Sequence, residues 1–200
     1  MAIQRLFVLL FAVSGWAFFG SGPASAQSVK ITQSTKYYTI TGKTAAEFAH
    51  SMSRRGPYSR QHRRRAWATA GRDLSFQLVR QQTSKSCRSR GAKVRMKITY
   101  TYPKLRGEKR LSSRQRKKWR RMIGLLRKHE QRHGSYYKQL ANETYRALKK
   151  LKPARTCREL EQQALKVVKK LAERDSRRND RFDRNDRANY RAMSRLYRSS

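Results

Sequence analysis

The hydrophobic residues change their period halfway along the chain, and that change constrains the fold more than any single motif. Val94, Met96, Ile98, Tyr100 and Tyr102 alternate with Arg95, Lys97, Thr99 and Thr101. A period of two gives a strand one buried and one wet face. Leu74 to Arg80 alternates in the same way. From Ser113 the period lengthens: Trp119, Met122, Ile123, Leu126, Tyr137, Leu140, Thr144, Leu148 and Leu151 recur at threes and fours, the stripe of a long amphipathic helix. Pro153 closes it. A second stripe of Leu160, Ala164, Val167, Val168 and Leu171 predicts another helix starting near Thr156 and running into a polar end around Asp175 to Tyr190.

Strands gathered ahead of helices define an α+β fold: a small antiparallel sheet of about three or four strands with a short helix, packed on two long C-terminal helices. Val29 to Thr41 is rich in β-branched and aromatic residues and supplies one or two strands, ending at Gly42. Thr44 with Glu47 resembles a capping box, so Ala45 to Met52 suits a short helix that stops at Gly56-Pro57. Ser59 to Arg65 reads as a charged loop, Gly91 as an aid to starting the second strand, and Pro103 as its end.

The N-terminus reads Met1-Ala2-Ile3-Gln4-Arg5, then an apolar run from Leu6 to Phe19, then Ser21-Gly22-Pro23-Ala24-Ser25-Ala26. This is the layout of a secretory signal, with cleavage expected after Ala26. The run falls short of the roughly 20 apolar residues of a spanning helix, and no later stretch is apolar enough to take its place. The expected organisation is a signal peptide over 1–26, one domain over 27–190 and a basic tail over 191–200, with the mature protein periplasmic or secreted. The only cysteines are Cys87 and Cys157, and they do not form a Cys-x-x-Cys pair. In an exported protein one disulfide is the economical reading; two unrelated buried thiols is the other.

Fifty Lys and Arg stand against 12 Asp and Glu, a formal net charge of +38. Such a balance attracts polyanions. The dense runs Arg63-Arg64-Arg65, Arg116-Lys117-Lys118 and Arg120-Arg121 are spread along the chain. Distributed charge without a nucleic-acid motif points to a general surface property, with anionic envelope polymers as partners and no specific nucleic acid.

The chemistry-bearing motif is His129-Glu130-Gln131-Arg132-His133 on the first long helix. Four-residue spacing puts both imidazoles on one face, where they can bind one zinc ion. Glu130 projects about 100 degrees round the helix, near enough to act as general base on an activated water. Extending the apolar series 119, 122, 126 by threes and fours reaches 129 and 133, so both rings should face inward, where a buried imidazole needs a partner. A metal supplies one, and so do buried hydrogen bonds. His50 and His62 lack ligand spacing and read as surface residues.

The run Tyr37 to Glu47, Gly56-Pro57, the strand ending Tyr102-Pro103, Trp119 ahead of His129-Glu130-x-x-His133, and Cys87 with Cys157 together resemble a bacterial family of secreted zinc-dependent proteases, domain of unknown function 922. The likeness covers most of the chain after the leader. It implies a zincin-like domain over 27–190, a Cys87–Cys157 disulfide, zinc (Zn2+) held by His129 and His133, Glu130 as base, and a peptide or protein substrate. Two departures stand out. Arg132 occupies a position where the family usually has Gly, and Ala188 stands where a further histidine is expected, although Phe182-Asp183 fits the Tyr-Asp element before it. A hydrolytic zinc needs three protein ligands. Asp183 is the candidate third, with Asp186 and Glu143 as substitutes, and each also reads as a surface carboxylate paired with Arg or Lys. The two functional expectations are a zinc metallopeptidase and a non-catalytic basic envelope protein that binds anionic polymers.

Overall fold

The computed structural model describes residues 29–59 and 63–198. The expected leader over 1–26 and His62 lie outside the described residues. The chain runs as β1 (Val29–Ile40), α1 (Ala45–Arg55), β2 (Tyr58–Ser59), β3 (Arg64–Arg65), β4 (Thr69–Gln82), β5 (Cys87–Leu105), a 3-10 turn over Glu108–Arg110, α2 (Ser113–Lys149), α3 (Cys157–Asn185) and α4 (Arg187–Arg198). This is the α+β architecture that the change of period predicts. Among the described residues no helix is long and apolar enough to cross a membrane.

The main sheet has the order β1-β5-β4. β4 and β5 pair antiparallel, as expected, but β1 pairs parallel to β5, with Val29 opposite Val94 and Ile40 opposite Leu105. The sheet is therefore mixed and not antiparallel throughout. Parallel neighbours need a crossover, and α1 with the strands that follow it provides one. Pro103 does not end β5. It lies within the strand opposite Tyr38, beyond Thr101, where the β4 pairing stops. One flank is open there, so a missing N–H costs little. The segment read as a loop also contains the short β2–β3 ladder, which pairs Tyr58 with Arg65 and Ser59 with Arg64.

Alternation in β5 buries Val94, Met96, Ile98, Tyr100 and Tyr102 and leaves Arg95 and Lys97 exposed. α2 lies across the buried side. A capping box at Ser112 and Gln115 starts it, and its buried stripe runs through Trp119, Met122, Ile123, Leu126, Glu130, His133, Gly134, Leu140, Thr144 and Leu148. α1 begins where Thr44 accepts the Glu47 N–H and ends at Gly56, where a Cβ would collide with the Ala66 carbonyl. Phe48 of α1 meets Trp119 edge-on with ring centroids 5.3 Å apart, closing the core at that end.

α3 is held at its start by two devices. Thr156 caps it, and Cys157 is disulfide-bonded to Cys87 at the head of β5, with Cα atoms 5.0 Å apart across 70 residues. Cys87 and Ala154 also exchange backbone hydrogen bonds of 2.8 and 2.9 Å. Halfway along, Asp175 is ion-paired with Arg72 of β4. α3 stops at Asp186, and α4 follows directly. Met193 and Leu196 of α4 are buried in the main core, so this segment packs as a helix in place of the expected basic tail from 191.

Candidate metal centre

The helical stripe that buries Leu126 also carries His129 and His133 inward, one turn further on. Their Nε2 atoms lie 3.2 Å apart. From α3, Asp183 brings Oδ1 to 3.2 Å from the His129 Nε2 and 2.9 Å from that of His133. Among the described residues, these three form a group whose donor atoms could hold one metal ion. A tetrahedral ion with bonds of about 2.0 Å asks for donors roughly 3.3 Å apart and leaves a fourth position free.

The far side of each ring is fixed. Asp186 Oδ2 lies 2.7 Å from the His129 Nδ1, and Asn179 Oδ1 lies 2.6 Å from the His133 Nδ1. A carboxylate or amide oxygen can only accept, so each Nδ1 donates, and each Nε2 is the ring atom that faces Asp183. Phe182 stacks on His129 at 4.9 Å and meets His133 edge-on at 5.1 Å, covering both rings.

Asp183 Oδ1 provides the test of fit. It is buried and accepts no directed hydrogen bond, although two ring nitrogens crowd it. Its electrostatics agree that positive charge belongs there. Burial alone would raise the Asp183 pKa, but the two imidazoles hold it well below the usual carboxylate range. Burial pulls the His129 pKa down, and the bonds to Asp183 and Asp186 with the charge of Glu130 more than offset this, raising it to about 9. His133 is raised in the same way, with Asp183 and Asn179 outweighing its burial. The donor set and the orphaned oxygen fit a divalent cation such as zinc.

Glu130 is buried beside the trio. Burial raises its pKa against the lowering effect of the two histidines, and it accepts a hydrogen bond from the Ala70 backbone on β4. Ala70 also accepts the Tyr137 hydroxyl at 3.1 Å, so one strand residue positions both side chains. Gly134 is needed for close approach, because a Cβ there would meet the Tyr100 hydroxyl.

The fold brings together His129, Glu130, His133 and Asp183, with Asp186 behind them. Glu143 is elsewhere, roughly three turns along α2, and bonds Arg174 at 2.6 Å. His50 is exposed on α1. Arg132 points outward and stacks on Tyr136 at 5.2 Å, so the departure at that position leaves the centre untouched. Ala188 is exposed on α4. Asn179 and Asp175 were not foreseen. The available signal was the stripe Asp175, Asn179, Asp183, Asp186 at spacings of four, four and three, one face of a helix.

These features define a class: an α+β domain whose longest helix carries two convergent imidazoles and whose next helix sets a carboxylate between them. The chain belongs to the family described as "Bacterial protein of unknown function (DUF922)", which matches residues 35–189. No curated protein and no solved structure matches it.

Proposed function

We propose that this chain is an exported zinc-dependent peptidase, with His129, His133 and Asp183 as the zinc ligands and Glu130 as the general base. The observation that carries the reading is the convergence of two imidazole nitrogens on a buried carboxylate oxygen that lacks a directed partner, with a second buried carboxylate one residue from the first ligand. When bound, zinc supplies Lewis acidity that acidifies water and polarises a carbonyl. The chain does the rest. Asp186 and Asn179 hold the imidazoles with Nε2 presented, Phe182 keeps water off the ring faces, and Glu130 takes a proton from the attacking water. A carboxyl whose pKa burial has raised is suited to accept that proton and release it again. The disulfide is in keeping with an oxidising compartment, and with the leader-like N-terminus it supports a periplasmic or secreted location. The substrate is a peptide or protein.

The test compares zinc content and hydrolysis of a general protein substrate between the wild type and Glu130→Gln. Equal zinc with hydrolysis lost only in the variant is expected. Equal hydrolysis in both would remove Glu130 from the mechanism.

One observation favours a second reading, a basic envelope protein that binds anionic polymers. On the open face of the sheet Lys93, Arg95 and Lys97 stand exposed in a row, about 7 Å apart by strand geometry, with Lys30 opposite Arg95 in the neighbouring strand. Binding of this kind should weaken steeply with salt and ignore chelators; salt-insensitive binding would rule it out.

A further inference from the structure

Behind His133, the Asn179 that holds its ring is backed by a buried carboxylate, Asp175, that the proposed reaction does not use. Asp175 is almost wholly enclosed, with 2% of its side chain exposed, and both its oxygens are engaged. Arg178 donates to Oδ1 at 2.6 Å, Asn179 Nδ2 donates to Oδ2 at 3.1 Å, and Arg72 of β4 is ion-paired with Oδ2. Asn179 Nδ2 also donates to the Asp175 backbone carbonyl at 2.7 Å. Asn179 then presents Oδ1 to His133 Nδ1 at 2.6 Å.

An amide side chain has a donor end and an acceptor end, and exchanging them barely changes its shape. What decides the orientation of Asn179 is the chemistry at its donor end. Asp175 offers two oxygens there, a carboxylate and a carbonyl, neither of which can donate. The NH2 group must face them, so the oxygen must face His133. An oxygen at that place requires a proton on Nδ1 and leaves the lone pair of the neutral ring on Nε2, the atom that faces Asp183 and His129. The reverse amide would push an N–H at Nδ1 and favour the tautomer whose lone pair points away from the centre. Arg72 ties this choice to the sheet: its guanidinium lies 5.1 Å from the centroid of the Tyr137 ring, and it donates to the Ala172 carbonyl of α3 at 3.3 Å.

We infer that Asp175 is a positioning residue that acts through Asn179 to set the tautomer of His133, so that Nε2 is the ligating atom. This rests on the metal-centre reading for its consequence, but not for its chemistry, because the hydrogen-bond chain exists without a metal. The experiment therefore has a metal-free arm. Ring 15N shifts of His133 in the metal-free protein, recorded at alkaline pH where the ring is neutral, should show the proton on Nδ1 in the wild type. In Asn179→Leu, which leaves Asp175 with both arginines, the proton should redistribute between the two nitrogens. The second arm is a zinc titration. Asp175→Asn and Asn179→Leu should each weaken zinc by about 10- to 100-fold, and the double variant should be no weaker than Asn179→Leu alone, since the route is already cut.

A proton distribution on His133 that is the same in the wild type and in Asn179→Leu overturns the proposal. So does a further, undiminished loss of zinc affinity when Asp175→Asn is added to Asn179→Leu, which would mean that Asp175 acts through the fold. If Asp175→Asn does not fold, the Asn179→Leu arms decide alone. If the wild type binds no zinc at all, the peptidase reading falls, and the 15N arm still decides the role of the chain.

Discussion

The two faces of the main sheet carry opposite solutions to the same excess of positive charge. On the open face Lys93, Arg95 and Lys97 stand in water, where solvent and salt screen them cheaply. Under the other face Glu130, Asp183 and Asp186 gather around two histidines, a quarter of the chain's 12 acidic residues, with Asp175 behind them on Asn179. Carboxylates at such distances repel one another, and burial makes each of them costly. Two arginines offset the charge of Asp175. Asp183, between the imidazoles, lacks a directed donor. In a chain this basic, acids spread over the surface would each have found a cationic neighbour. Their concentration at one point is what the proposed metal centre accounts for.

The contrast can be broken in several places. The largest effect should come from Glu130→Gln, which keeps the size of the side chain and removes its basicity. Hydrolysis should fall by about 10²- to 10⁴-fold while zinc content, read by elemental analysis, stays at the wild-type level. Next, Cys87→Ser with Cys157→Ser releases the start of α3 from the sheet. A loop closed across 70 residues predicts a loss of about 4 kcal/mol in denaturant melts, and zinc affinity should drop with it because Asp183 rides on the same helix.

The third effect is one of pH. His129 titrates at about 9 in the metal-free fold against an ordinary 6.5. A raised pKa stabilises the metal-free protein fully below 6.5, and that stabilisation is lost as pH rises through 9. Zinc must displace the proton, so its affinity should rise by up to about tenfold per unit over the same interval and then level off. Thermal melts with and without zinc should therefore diverge as pH increases.

The smallest effect sharpens the other side of the comparison. Glu in place of Lys93, Arg95 and Lys97 should change unfolding free energy by no more than about 0.5 kcal/mol per substitution and leave zinc content alone. The salt dependence of any polyanion binding should become shallower.

Much of this was legible in the chain itself. The stripe from Trp119 to Leu148 requires a long helix, and carrying it forward turns His129 and His133 inward. The alternation in β5 was equally plain, because one face is buried along its whole length. β1 was harder: most of its residues are exposed, so no buried face announced its direction, and its parallel pairing is a matter of topology. Pro103 misled because a proline ends a strand only where both flanks are paired. The polar half of α3 hid most. Asp175, Asn179, Asp183 and Asp186 share one helical face, yet among so many arginines each reads equally well as half of a surface ion pair. Only the packing of α3 on α2, moored by Cys157 and Arg72, distinguishes an inward carboxylate from a solvated one.

The most direct measurement is the zinc content of the purified protein after equilibration with zinc and removal of excess, beside that of His129→Ala. The account predicts close to one zinc per chain in the wild type and little in the variant, with both folded. A wild type that holds none, or a variant that holds as much as the wild type, would contradict it.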